Sequence, residues 1–224
     1  MHWLEFLKQF LTRNEEIGAV AYHRVDQGDH SQIQEEINRV VQDFHKIDIL
    51  IGNAAMGPPG DLLDRTAEEW ISSLGVNLVG CIMAAQTAVT QMLRQEPDEE
   101  GIRGKLLFTS SWVGQHPRPG AIDYCVSKAG LDHLVRLIAQ QYAAQGIRVN
   151  AVAPGILDAG LTRKAFQQQP ALRKKFSTWI PVGEFGTSEH IGDAFTFLCS
   201  RESNYMTGQI LCGLIEDNFL SIDG

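Results

Sequence analysis

A short apolar run constrains the fold of this chain more than any other sequence feature. Leu106, Leu107 and Phe108 follow one another without polar alternation, and the run closes with Thr109, a serine and Ser111. Such a run is typical of a parallel strand that is buried on both faces. Open α/β sheets bind their ligands at the carboxyl ends of the strands. The run therefore predicts a parallel α/β sheet with the Ser111 hydroxyl at its ligand-binding edge.

A tyrosine and a lysine follow this strand at helical spacing. Tyr124 and Lys128 are four positions apart in a segment with helical periodicity, so their side chains should lie on one helical face. A free tyrosine ionises near pH ~10, and a nearby cation favours the phenolate. The spacing predicts that Lys128 lowers the pKa of Tyr124 and makes it an acid/base, while Ser111 binds the same substrate oxygen. A pair at this spacing also occurs by chance, among the core or rim residues of a helix.

Further motifs in a fixed order support the catalytic interpretation. They are the stretch 48–55 around Asn53, the Asn77-Leu-Val-Gly segment, the Pro154-Gly155 turn and the stretch 206–211. Together with the serine and tyrosine motifs they resemble the short-chain dehydrogenases/reductases over roughly residues 15–212. The resemblance implies one Rossmann-like, doubly wound parallel sheet, with residues 1–224 forming a single domain.

The resemblance also implies roles for individual residues. Tyr124 would donate or accept the proton, Lys128 would support it and bind the nicotinamide ribose, Ser111 would hold the substrate oxygen, and Asn77 would hold a proton-relay water. The cofactor would be NAD or NADP. Its implied contacts are Asp26, Asn53, Ala54, Tyr124, Lys128, Pro154, Gly155 and Ile156. Two of these keep an alternative, since Asn53 is also typical of a turn bonded to its own backbone, and Asp26 of a solvated loop.

The glycine-rich N-terminal motif of the family is not found in this sequence. Family members begin with a strand, a glycine-rich turn and a helix that hold the pyrophosphate, whereas this chain begins with a predicted helix over residues 2–12 and a predicted strand over 17–25. The glycines within residues 52–60 do not replace that turn, because no helix opens directly on them. We therefore expect a sheet that is incomplete at its N-terminal side, through a truncated gene, a sequence that starts where order starts, or a rearranged variant.

Composition narrows the class of protein. The chain has 224 residues, 44% of them hydrophobic, which suffices for one buried domain. Its net charge of −8 argues against nucleic acid or a membrane surface as a partner. Its four cysteines, Cys81, Cys125, Cys199 and Cys212, lack metal or redox spacing, so we expect free thiols in a cytoplasmic protein and no metal site. No signal peptide or membrane span is expected.

Several helices and one lid are predicted from local patterns. Thr66 and Glu69 match a capping box that opens a helix reaching about Leu93. By resemblance, that helix and the Tyr124 helix would join subunits in a homo-oligomer, a dimer or tetramer. Residues 156–186 would cover the substrate as a lid. One departure falls there, because the threonine expected five residues after Pro154 is replaced by Ala159.

These features together predict an NAD(P)-dependent oxidoreductase that interconverts a small secondary alcohol and a ketone. Two alternatives stay open: a catalytically silent scaffold or oligomer partner, and an epimerase or dehydratase that uses the same tyrosine and lysine. The sequence decides neither the substrate nor the choice between NAD and NADP.

Overall fold

The computed structural model describes residues 21–213, and this part of the chain is built on one parallel sheet. Its four strands are β1 (Ile49–Gly52), β2 (Gly104–Thr109), β3 (Ile147–Ala153) and β4 (Ile210–Cys212), which lie in the order β1-β2-β3-β4. Each neighbouring pair is parallel. The predicted parallel α/β sheet is confirmed.

Helices cover both faces of the sheet. They are α1 (His30–Phe44), α2 (Ala67–Leu74), α3 (Gly80–Met92), α4 (Ile122–Tyr142), α5 (Gly160–Gln168), α6 (Pro170–Ser177) and α7 (Ser188–Cys199). Residues of α1, α3 and α4 pack with Leu106 and Phe108 on one face, and α7 packs with Leu107 on the other. Because successive strand residues point to opposite faces, the apolar run of β2 fills both sides of the sheet, as predicted.

The helix that leads to the site begins and continues as the sequence indicated, with one local change. Thr66 and Glu69 form the predicted capping box at the start of α2. A π-helical turn, Gly75–Val79, joins α2 to α3, and such turns are frequent at functional sites. The stretch Ala67–Met92 is long and apolar enough to cross a membrane by length and composition alone. Its residues Ala85, Ala88 and Met92, however, are buried in the core beside the sheet.

The sheet has an open edge at β1. Within residues 21–213 this strand pairs only with β2, and Ile49 and Ile51 are 38% and 46% exposed. A strand was predicted over residues 17–25. The prediction is wrong for residues 21–25, which are irregular. Residues 17–20 and the predicted helix over 2–12 lie outside the described part. A strand needs a hydrogen-bonded neighbour, and no described strand lies beside the free edge of β1.

Candidate active site

Ser111, Tyr124 and Lys128 converge where β2 ends. Ser111 lies two residues after the end of β2 and is 8% exposed, and its hydroxyl is close enough to the Tyr124 phenol to lower the pKa of that phenol. On α4, the Lys128 Nζ atom lies 5.6 Å from the centre of the Tyr124 ring. The structure thus brings together the three side chains that the sequence singled out.

A chain of hydrogen bonds connects Lys128 to the end of β1. Lys128 is 1% exposed, and its Nζ atom donates to the main-chain oxygen of Thr109 at 2.7 Å. The Thr109 hydroxyl in turn donates to the Asn53 side-chain oxygen, also at 2.7 Å. The Asn53 side chain therefore accepts a hydrogen bond across the strand ends, and its contact with the cofactor stays a prediction.

The electrostatics of Tyr124 differ from the sequence prediction. Burial raises the pKa of the phenol above its ordinary value, opposed by the Ser111 hydrogen bond and by the positive charge of Arg118. The predicted lowering of this pKa by Lys128 is therefore wrong for this arrangement. The lysine ammonium lies over the ring and bonds Thr109, and burial lowers the pKa of Lys128 itself. Arg118, which sequence reasoning missed, is the cation that acts on the phenol.

Asn77 occupies the π-helical turn and holds the loop after β1 against α4. It is completely buried. Its amide accepts a hydrogen bond from the Met56 N–H at 2.8 Å and donates to the Met56 oxygen at 2.7 Å and the Ser127 hydroxyl at 3.0 Å. The amide is thus occupied by protein atoms, so the predicted relay water would have to bind the main chain of Asn77. In this structure the side chain positions the loop beside the catalytic helix.

The segment before α1 borders the loop that contains Ala54. The Asp26 carboxylate accepts a hydrogen bond from the Gly28 N–H at 2.8 Å. Asp26 is exposed, which agrees with the alternative that it is a solvated loop acid. Its neighbour Gln27 donates to the Val76 oxygen at 2.9 Å and to the Ala54 oxygen at 3.4 Å. Asp26 therefore lies near the Ala54 loop but apart from the Tyr124 cluster, and its contact with adenine stays a prediction.

The segment after β3 connects the site to the predicted lid. The Pro154 oxygen accepts a hydrogen bond from the Trp112 N–H at 3.0 Å, which ties this turn to the residue after Ser111. Gly155 follows it, and Ile156 is buried among the lid aromatics. The lid itself folds as α5 and α6. A second core cluster unites it with the Tyr124 region; its buried members are Trp112, Val113, Ile156, Phe166, Phe176 and Ile180.

A buried ion pair beside Tyr124 was not visible in the sequence. The Arg65 guanidinium lies 3.4 Å from the Asp123 carboxylate, and the two side chains are 3% and 0% exposed. Arg65 also donates to the Pro58 oxygen. In the same loop, a Cβ atom on Gly57 would approach the Tyr124 ring to 3.1 Å. The pair therefore fixes the loop that packs against the catalytic phenol.

We expect Asp123→Ala to lower the free energy of unfolding by about 2 kcal/mol, because it leaves the buried Arg65 charge with only the half-exposed Glu69 carboxylate, 3.4 Å away, as an ionic partner. Urea unfolding of the full chain measures this. The double variant Asp123→Ala/Arg65→Met should recover much of the loss. The surface pair of Lys46 and Asp48, 2.8 Å apart and more than half exposed, supplies the control: Asp48→Ala should cost less than about 1 kcal/mol. A loss as small as in that control would contradict a role for the buried pair.

Comparison with known proteins agrees with this geometry. The sequence profile described as enoyl-(acyl carrier protein) reductase matches residues 5–213. The chain belongs to the short-chain dehydrogenase/reductase family. It is 35% identical over 183 residues to the 3-oxoacyl-[acyl-carrier-protein] reductase FabG of Thermotoga maritima, covering 82% of this chain and 71% of that protein.

Two further relatives extend the comparison. The chain is 33% identical over 193 residues to the glucose 1-dehydrogenase of Gluconobacter oxydans, with 84% of this chain and 70% of that protein covered. A short-chain alcohol dehydrogenase from Sinorhizobium meliloti superposes with a TM-score of 0.78 at 27% identity, covering 85% of this chain and 73% of that one. The protein is thus an NAD(P)-dependent oxidoreductase of the alcohol/ketone type that acts on small molecules.

The described residues fit one half of the cofactor better than the other. Lys128 and Thr109 place a donor and an acceptor at the carboxyl end of β2, where a nicotinamide ribose would bind. Pyrophosphate binding usually uses a glycine-rich turn that opens a helix. Within residues 21–213, the glycine-containing stretch 52–60 leads instead into a 3-10 turn, Leu62–Asp64. The site therefore fits the nicotinamide end of the dinucleotide, and no described segment forms the usual pyrophosphate cradle.

Cysteines and possible metal ligands add no second site. Cys81, Cys125, Cys199 and Cys212 are free thiols. In the part of the chain that the structure describes, no group of three or more His, Cys, Asp or Glu side chains is arranged to hold a metal ion.

Proposed function

We propose that this protein interconverts a secondary alcohol and a ketone, and that Tyr124 exchanges the proton with the substrate oxygen. One observation carries the proposal: Ser111, Tyr124 and Lys128 converge at the carboxyl end of β2, with the Lys128 ammonium over the Tyr124 ring and the Ser111 hydroxyl close to the phenol. Two hydroxyl groups that converge in this way can bind one carbonyl oxygen and protonate it as negative charge develops. This assigns the protein to the enzymes that act on the CH–OH group with NAD or NADP as acceptor.

Each remaining residue has a defined part in this proposal. The bound nicotinamide supplies or accepts the hydride. Lys128 would hold its ribose and Asn53 would lie along the adenosine side, while Asn77 positions the loop and α4 around Tyr124. Further cofactor contacts would come from Asp26, Ala54, Pro154, Gly155 and Ile156. The helices α5 and α6 would cover the substrate and exclude water from the phenol.

A homo-oligomer in the cytoplasm fits this proposal. Val126 and Leu137 on α4 are 48% and 50% exposed, and a second copy of the chain could cover such apolar side chains. Size-exclusion chromatography with light scattering tests for a dimer or tetramer.

Cofactor titration separates the proposal from the silent scaffold. If the proposal holds, NADH or NADPH fluorescence changes saturably on addition of the full chain, and absorbance at 340 nm falls when a ketone is added. Binding of neither dinucleotide would favour the scaffold. Turnover that leaves the cofactor unchanged would favour the epimerase or dehydratase.

The raised pKa of Tyr124 predicts different pH profiles for ketone reduction and for alcohol oxidation. Burial favours the neutral phenol, so ketone reduction, which needs the protonated form, should stay level from neutral pH into the alkaline range. Alcohol oxidation needs the phenolate. It should therefore rise with pH up to and beyond ~10, where a free tyrosine ionises. Initial rates in both directions between pH 6 and pH ~10.5 test this, and an oxidation rate that levels off near pH 7 would contradict the raised pKa.

A further inference from the structure

Arg118 lies in the loop between β2 and α4, and no acid of residues 21–213 forms an ion pair with it. The guanidinium lies over the Phe176 ring, 4.9 Å from the ring centre. Arg118 is half-buried, and this partial burial lowers the pKa of its guanidinium. Among residues 21–213, no hydrogen-bond acceptor or carboxylate is paired with the guanidinium.

The position of Arg118 relative to the reacting group follows from two contacts. Its main-chain oxygen accepts a hydrogen bond from the Cys125 thiol at 3.5 Å, which ties the residue to the first turn of α4 next to Tyr124. Its charge is close enough to the Tyr124 phenol that each influences the pKa of the other. Phe176 belongs to the same buried cluster against which Tyr124 packs. The guanidinium therefore borders the space between the phenol and the lid.

The Phe176 contact alone does not satisfy this cation. A guanidinium carries five N–H donors in its plane, and an aromatic ring under one face supplies an acceptor to none of them, so they are open to solvent or to a ligand. Two acids of the described residues have cations of their own: Asp123 pairs with Arg65, and Asp158 pairs with Arg163 and Arg173. A carboxylate or phosphate is the group that matches the planar donors of arginine.

We propose that Arg118 binds an anionic group of the substrate, a carboxylate or a phosphate located a few atoms from the reacting oxygen. This inference rests on the proposed function, and it narrows the substrates to oxo acids or oxo phosphates and the corresponding hydroxy compounds. The protein has a net charge of −8, so it repels anions at long range. A local cation beside the phenol would capture and orient an anionic substrate in spite of that repulsion.

Matched pairs of substrates test the proposal on the full chain with NADPH or NADH. The pairs are 4-oxopentanoate with its methyl ester, and dihydroxyacetone phosphate with dihydroxyacetone. We expect the anionic member of at least one pair to be preferred, and its identity decides between carboxylate and phosphate. Arg118→Met should lower kcat/KM for that anion about 10- to 100-fold, mainly through KM, because a charged hydrogen bond is lost. The neutral member should change less than about 3-fold.

Control variants separate anion binding from a structural role in the lid. Phe176→Leu removes the ring but keeps the guanidinium, so it should preserve the preference for the anion. Arg118→Lys keeps the charge but not the planar donors, and it should lose less than Arg118→Met. Arg201→Met removes an exposed cation and should change neither substrate. Equal losses for anion and neutral analogue in both Arg118→Met and Phe176→Leu would overturn the anion subsite.

A binding measurement keeps the two proposals distinguishable. Tryptophan fluorescence of the full chain is titrated with 4-oxopentanoate and with dihydroxyacetone phosphate in the absence of dinucleotide. We expect saturable binding of one anion that weakens at least about 10-fold in Arg118→Met. Such binding without turnover of any of the four compounds would overturn the proposed function and support the subsite. No saturable binding of either anion, or binding that is unchanged in Arg118→Met, would overturn the subsite.

Discussion

Replacing Tyr124 by phenylalanine will lower kcat by about 10³-fold or more, because it removes the group that exchanges the proton with the substrate oxygen. The fold should change little. The ring stays in place against Gly57, where even a Cβ atom would come within 3.1 Å of it. What is lost is the interaction of the phenol with the nearby Ser111 hydroxyl, which should contribute no more than about 1 kcal/mol.

The measurement combines turnover, cofactor binding and urea unfolding. Tyr142→Phe supplies the matched control, since Tyr142 is the last residue of the same helix α4 and lies far along it from the site. That variant should keep full activity. Tyr124→Phe should still bind NADPH or NADH as tightly as the parent within about 3-fold. A Tyr124→Phe protein that turns over normally would remove Tyr124 from the mechanism.

The elements around the site were predictable because they depend on local pattern. The apolar run of β2 indicated a strand buried on both faces, and Leu106 and Leu107 are indeed completely buried. Spacing placed Tyr124 and Lys128 on one face of α4. It did not reveal how deeply they are buried, and burial is what raises the pKa of the phenol. Burial depends on which other segments pack around a residue, so a sequence pattern within one helix does not determine it.

Two other features depend on long-range contacts and were missed for that reason. Residues 21–25 have strand-like composition but form no strand, since hydrogen-bonded pairing requires a neighbour that composition does not supply. Arg118 lies in an irregular loop, where no periodicity marks a functional position. Only the packing of Phe176 against its guanidinium and the proximity of Tyr124 identify it.

Lys128→Met should abolish activity and yet stabilise the fold. Activity should fall by about 10³-fold, because the variant removes the proposed ribose ligand and the cation beside Tyr124. Stability should rise by about 1 kcal/mol near pH 7, since the ammonium is 1% exposed and its transfer from water is costly. Its single hydrogen bond, to the Thr109 oxygen, offsets only part of that cost. Catalytic groups often reduce stability in this way.

The pH dependence of this gain follows from the direction of the pKa shift. Burial lowers the pKa of Lys128 below its ordinary value of 10.5, so the unfolded chain binds the proton more tightly than the folded one. The parent is therefore penalised most at low pH, and the penalty disappears as pH rises from the lowered pKa to the ordinary value. Urea unfolding at pH 7 and pH ~10 should show the advantage of Lys128→Met shrinking at the higher pH.

Lys105 provides the matched control for this prediction. It is also buried, at 6% exposed, and burial lowers its pKa too. Its ammonium, however, donates to the Leu198 and Ser200 oxygens and the Ser203 hydroxyl. Lys105→Met removes three hydrogen bonds from a charged donor, although the Leu198 and Ser200 oxygens keep the Ser203 hydroxyl as a donor, and it should destabilise the fold by about 2–3 kcal/mol. Equal destabilisation by both variants would make the Lys128 ammonium a structural group, whereas opposite signs would show that its burial serves catalysis at the expense of stability.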